Sequence, residues 1–176
     1  KSRKSAKEQI SMVFHGYSIT HIDAFSHFFF KGKMYNNKEA SLVTSQEGAK
    51  CNTALAFKNG IVGRGVLLDI ARLKGRYLQA GEGVLIKDIE EAQKQFNIEL
   101  QQGDIVLVRT GFYKNSLERG GLHPVEDGTP AIHPECCSLF FKKQIAVVGS
   151  DTCNDMYPSP YPNYRNPFHT VALYSM

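Results

Sequence analysis

"GDIVLVRTGF", residues 103–112, decides the fold class. Gly103 and Asp104 form a turn signal, and the aliphatic run from Ile105 to Val108 reads as a strand. Working outward, residues 86–97 ("IKDIEEAQKQFN") space Ile86, Ile89, Ala92 and Phe96 as a helix does. Asp88 and Glu90 stand where acidic side chains favour the N-terminus of that helix. Residues 61–71 ("IVGRGVLLDIA") end in a second aliphatic run bounded by glycine, which predicts a buried strand. On the other side, residues 133–144 ("HPECCSLFFKKQ") predict a helix with Pro134 near its first turn. Cys137, Phe140 and Phe141 would lie along one side of it. "IAVVGSD", residues 145–151, is a third strand, and "MYPSPYPNYRNPF" is a proline-rich loop leading into the apolar "HTVALYSM". Strands and helices alternate without a glycine-rich nucleotide fingerprint at any strand-to-helix turn, so a mixed α/β domain with no nucleotide site is expected.

Length and composition narrow the function classes. A chain of 176 residues makes a single domain, 1–176, able to bury a core unaided. Its 42% hydrophobic and 22% charged residues are those of a soluble globular protein. No apolar run approaches the length of a membrane span, and "KSRKSAKEQISMVF" holds no apolar segment of signal-peptide length. The chain starts at Lys1 without an initiator Met, so a longer parent protein is expected. Cys51, Cys136, Cys137 and Cys153 lack metal-site or disulfide-framework spacing, which points to reduced thiols and a cytoplasmic setting. The net charge of +4 is spread along the chain; only "KSRKSAK" clusters, as a solvated tail, and no nucleic-acid or membrane partner is expected.

Chemistry concentrates in "FHGYSITHIDAFSHFFF", residues 14–30, which holds three of the six histidines. His21 and Asp23 leave the same face of an extended backbone, and His27 reaches the same space if the chain turns after Ala24. Imidazole and carboxylate together suit Zn, Mn or Fe(II). The same spacing equally serves a hydrogen-bonded pair in a core or at a surface, and spacing does not choose between them. His15, six residues before His21, reads as structural, as do His123 and His133, each followed by proline in a loop. His169 opens the last apolar segment after a loop able to fold back, so it can complete a distant cluster, which spacing does not establish.

"HGYSITHIDAFSHFFFKGKMYN" resembles the signature block of the cyclase family, metal-dependent hydrolases that include bacterial kynurenine formamidase and isatin hydrolase. "GIVGRGVLLDIARLKG", "GDIVLVRTGFY", "IAVVGSDTCND" and "PFHTVALYSM" are similar to later segments of that family, in the same order. The resemblance implies a swivelling β/β/α domain with a β-barrel-like core, assembled into homo-oligomers. It implies His21, Asp23 and His169 as ligands of a divalent metal, Zn or Mn, and His27 as the group that donates and accepts protons. Phe28, in the aromatic run "FFFKGKMYN", becomes a substrate wall. Arg109 and Asp151, at strand ends, match family positions; Arg109 would hold a substrate carboxylate or an internal acid.

Two departures from the family pattern stand out. Tyr17 occupies the position of the family's first histidine, where a phenol can orient substrate or water; His15 would compensate if the backbone bulges, which nothing in the sequence requires. The family's acidic ligand would follow beyond Met176, and an N-terminal portion would precede Lys1, so the domain is expected to be incomplete at both ends. The implied activity is hydrolysis of an amide or lactam bond in a small substrate of aromatic type. A metal-activated water would attack the carbonyl and His27 would carry the proton. The alternative is a non-catalytic homologue that binds or scaffolds.

Overall fold

In the computed structural model, which describes residues 5–13, 15–17 and 19–176, the first two regular units are short antiparallel ladders. Strand β1 (Lys33–Met34) pairs with β2 (Lys38–Glu39), and β3 (Val43–Thr44) with β4 (Gly48–Ala49). Part of the basic cluster over residues 1–7 lies outside the described residues.

The scaffold comes next in the chain. Strand β5 (Gly65–Asp69) runs into helix α1 (Ile70–Lys74), and β6 (Gly83–Val84) precedes α2 (Ile86–Phe96). Strand β7 (Ile105–Arg109) is followed by α3 (Phe112–Glu118), β8 (Ala131–Ile132), α4 (Cys136–Lys142), β9 (Val147–Ser150) and α5 (Pro167–His169). A wider-turned helical segment, Thr170–Ser175, continues α5. Strands β5, β7 and β9 form a parallel sheet in that order, with Leu67 opposite Leu107 and Leu107 opposite Gly149. A separate parallel pair joins β6 and β8. No sheet among the described residues closes into a barrel.

Side-chain alternation decides where the core sits. Val66 and Leu68 of β5 and Val106 and Val108 of β7 are buried against Ile89 and Ala92 of α2 and Cys136, Cys137 and Phe140 of α4. Phe168 joins the same core, which anchors the residue beside His169. Leu67 is 53% exposed and Leu107 46% exposed, on the opposite face of the sheet. The expectation of a strand buried on both sides therefore holds for one face only.

Two helix boundaries differ from the sequence pattern for identifiable reasons. The apolar run of residues 61–71 does not stay extended to its end. Asp69 accepts the Arg72 backbone N–H at 3.0 Å, capping α1 and turning Ile70 and Ala71 into its first residues. On α4, Phe140 is buried but Phe141 is exposed, since neighbours in a helix point about 100° apart. The predicted apolar stripe narrows to Cys136, Cys137 and Phe140.

Candidate metal centre

The described residues between 15 and 27 form an irregular segment that regular periodicity does not describe. A turn follows Ala24, closed by the His27 N–H donating to the Ala24 carbonyl at 2.9 Å. Ser26 N–H donates to the Asn52 carbonyl at 3.0 Å, and the Phe25 ring stacks on Tyr35 at 4.3 Å. These contacts hold the segment against the residues that follow it. The far end of the chain meets it there: Phe30 and Tyr174 rings lie 5.5 Å apart, and the Phe28 ring lies 5.8 Å from His169.

The result is a cluster of four imidazoles around one carboxylate. Asp23 Oδ1 lies 3.2 Å from His15 Nε2 and 3.6 Å from His21 Nε2, while Asp23 Oδ2 lies 3.3 Å from His169 Nε2. His15 Nε2 and His27 Nε2 are 3.0 Å apart. Two triads within ligand reach share Asp23: His15 and His21 on one side, His27 and His169 on the other. His15, read as structural from its spacing, is therefore part of the cluster. Its spacing could not place it, because a six-residue separation has a defined geometry only on a regular backbone; the family pattern offered it only as a replacement for the histidine missing at Tyr17.

The second nitrogen of two rings is already committed. His21 Nδ1 donates to the Ile19 carbonyl at 2.7 Å, which leaves Nε2 as the lone pair. His169 Nδ1 is hydrogen-bonded to Asp155 Oδ2, and Asp155, only 1% exposed, also accepts from Phe168 N at 2.7 Å and Asn166 Nδ2 at 3.2 Å. Carboxylate-to-imidazole support of this kind orients a metal-ligating ring and raises its basicity. Asp155 closes the segment "IAVVGSDTCND", and nothing in its spacing tied it to His169.

Electrostatics follow from the crowding. Burial works to raise the Asp23 carboxyl, but the hydrogen bond from His169 and the charges of His27, His169 and His15 prevail and hold it below the usual carboxylate range. Burial holds His27 below the ordinary imidazole value; the Asp23 charge opposes this, while His15, His169 and His21 reinforce it. Burial also works against protonation of His169, yet its hydrogen bonds to Asp155 and Asp23 lift it to about 9. Two carboxylates flanking one imidazole thus demand a positive charge, either a proton on the ring or a cation at Nε2.

The donor set fits such a cation. Asp23 Oδ1 is buried and accepts no hydrogen bond, a costly state for a carboxylate oxygen unless a positive centre faces it. Imidazole and carboxylate donors in this number suit a divalent first-row metal.

The remaining predicted residues lie elsewhere. Tyr17 is exposed and packs edge-on against the His123 ring at 5.6 Å. Arg109 Nη1 donates to Asp69 at 2.7 Å, and the cleft it lines contains none of the clustered histidines. Asp151 accepts from Thr110 N, Thr110 Oγ1 and Gly111 N at 2.7, 2.8 and 2.9 Å, stitching the ends of β7 and β9 together. His123 Nδ1 and His133 Nδ1 each accept a nearby backbone N–H, from Glu126 and Glu135. All four cysteines are free, and burial pushes the Cys137 thiol up to about 12.

Fold and site together define a mixed α/β protein with a histidine–aspartate centre of metal-ligating composition. A family model described as "Putative cyclase" matches residues 3–154, and the chain belongs to the cyclase family. It is similar to a crystal structure of a novel cyclase, at 29% identity and a TM-score of 0.65, covering 73% of this chain and 44% of that one. An isatin hydrolase bound to the product analogue thioisatinate matches at 18% identity and a TM-score of 0.45, over 64% of this chain and 44% of the other. Isatin hydrolase A from Labrenzia aggregata, bound to benzyl benzoate, matches at 20% identity and a TM-score of 0.42, over 69% and 46%. The chain thus spans less than half the length of each of these proteins. No curated protein matches. Among the described residues, no helix is long and apolar enough to cross a membrane.

Proposed function

We propose that this chain carries the metal centre of a hydrolase that cleaves an amide or lactam C–N bond in a small substrate of aromatic type. One observation carries the reading: the buried, unpartnered Asp23 Oδ1 with the Nε2 atoms of His15 and His21 beside it, and His169 Nε2 at the other carboxylate oxygen. His21, Asp23 and His169 would hold Zn or Mn, and His15 adds a donor that the spacing did not suggest. When bound, such an ion supplies Lewis acidity, acidifying water and polarising a carbonyl.

The chain's own groups do the rest. The Ile19 carbonyl and Asp155 lock the His21 and His169 rings so that both present Nε2 to the centre. His27, kept neutral near pH 7 by burial, has its Nε2 3.0 Å from His15 Nε2; with His15 turned to the ion, that nitrogen would take a proton from water and return it to the leaving nitrogen. Phe28, beside His169, offers an apolar wall for an aromatic ring. Neither Tyr17 nor Arg109 is needed in this reading. A barrel-like core, homo-oligomeric assembly and a cytoplasmic setting belong to it as expectations for the longer proteins of the family.

The test is elemental mass spectrometry on the purified protein beside a His21→Ala/Asp23→Ala variant, followed by a screen of formamides and lactams. Near-stoichiometric Zn or Mn in the parent alone, with turnover of one substrate class, is the expected result. Absence of metal in both proteins, even after Zn or Mn is added, would favour the non-catalytic binding role.

A further inference from the structure

An arginine-lined cleft lies apart from the histidine cluster. It has a volume of about 720 Å³ and lies beside the end of strand β7, between helix α1 with the loop after it and one side of helix α3. In open parallel sheets the carboxyl ends of the strands are where ligands settle, and this depression, wide open to solvent, has room for a small molecule. Its walls bring together Arg72 of α1, Arg76 of the following loop, Arg109 at the end of β7 and Arg119 just after α3. The Tyr77 ring on its wall packs close to Gly111, whose φ of 84° and lack of a side chain permit the approach; a Cβ there would meet Tyr77 Cδ1 at 2.5 Å.

Charge accounting within the cleft leaves a surplus even with Glu118, which accepts the Tyr77 hydroxyl at 3.1 Å and lies 3.9 Å from Lys114. Arg76 is neutralised by Glu82 through two hydrogen bonds of 2.7 and 2.9 Å, and Arg109 by Asp69 at 2.7 Å. Among the described residues, neither Arg72 nor Arg119 has a carboxylate within ion-pair distance; the Arg72 guanidinium sits 5.6 Å from the Phe96 ring centre. The two paired arginines are thereby held in place while the two others keep their donors for an incoming group. Guanidinium forks match the planar or tetrahedral oxygens of carboxylates and phosphates, and the Asn115 and Gln79 amides on the same wall add neutral donors.

We propose that this cleft binds a small molecule bearing two negative charges, of dicarboxylate or phosphate type, at a site separate from the metal centre. The ligand bridges Arg72 and Arg119.

Isothermal titration of the full chain at low, matched ionic strength tests this, with inorganic phosphate and malonate as probes and sodium chloride as the control. Saturable binding is expected, with each probe competing against the other. Arg119→Gln and Arg72→Gln should each weaken it about tenfold or more, the loss of a charge-assisted contact. Arg119 makes no side-chain hydrogen bond among the described residues, so its replacement should leave the melting temperature unchanged. The His21→Ala/Asp23→Ala variant should bind as the parent does. Three outcomes overturn the proposal. One is titration that never saturates; another is an affinity equal to the parent's in both arginine variants. The third is binding lost with His21 and Asp23, which places the anion at the histidine cluster.

Discussion

Asp155 divides its carboxylate among the Phe168 N–H, the Asn166 amide and His169 Nδ1, and that division settles which imidazole nitrogen is left for chemistry. An Asp155→Asn replacement keeps the size but can offer His169 a donor in place of an acceptor. The ring would then tend to present Nδ1 as its lone pair and lose Nε2 for the centre. Metal affinity should fall roughly 10- to 100-fold, measured by competition with a chelating dye. Affinity equal to the parent's would mean that Asp155 only supports the backbone of α5. His27 makes the contrasting case. Its Nε2 faces His15, and burial keeps the ring below the ordinary imidazole value. His27→Ala should lower turnover about 100- to 10,000-fold while metal content stays near the parent's. Metal lost together with activity would make His27 a ligand and return the proton transfer to another group.

Elements explain which parts of the pattern survived folding. On β5, Leu68 is fully buried in the core while its neighbour Leu67 faces outward, so the two test the sheet's sidedness. Leu68→Ala should cost about 2–5 kcal/mol in urea unfolding. Leu67→Ser should stay within about 0.5 kcal/mol, and a larger loss would show a covered outer face. The loop after α1 supplies an acid-sensitive contact. Arg76 chiefly holds the Glu82 carboxyl down at about 2, against an ordinary 4.5, with burial opposing and the Gln79 N–H assisting. A depressed folded value means the contact stabilises fully above pH 4.5 and fades as pH falls towards 2. The stability difference between the parent and Glu82→Gln should therefore be flat near neutrality and shrink below pH 4.5. A difference that persisted unchanged at pH 3 would assign it to packing. Helix α2 and strands β7 and β9 were legible because spacing on a regular backbone fixes faces. His21 and Asp23 were singled out by their closeness in sequence and by the family resemblance, and His27 was to join them only if the chain turned after Ala24, as it does. His15 was not legible from its spacing, because its segment is irregular, and neither was the bond from Asp155 to His169, which depends on a loop folding back. The exposure of Leu67 and Leu107 was hidden too, since an apolar run does not say how many layers cover it.

At the scale of the whole molecule, the centre is built from the two ends of the described chain. Asp23 comes from the segment of residues 15–27, and His169 from the helix anchored by Phe168 in the core. A cation held by both would tie the irregular N-terminal segment to the scaffold and would bind the folded chain far better than the unfolded one. Linkage converts that preference into stability: at a free metal concentration 100 times Kd, the gain is about 2.7 kcal/mol. For a chain of this size that corresponds to a rise of roughly 5–10 °C in Tm. Adding Zn or Mn to metal-stripped protein should produce that shift, and a chelator should reverse it. The His21→Ala/Asp23→Ala variant should melt at one temperature with or without metal. Amide exchange gives the spatial half of the argument: protection on metal binding should rise at residues 15–27 and around His169, not evenly across β5, β7 and β9. A parent protein whose Tm ignores both metals at saturating concentration would leave the carboxylate satisfied by protonated His169 alone, with the cluster serving as a structural clasp between the two segments.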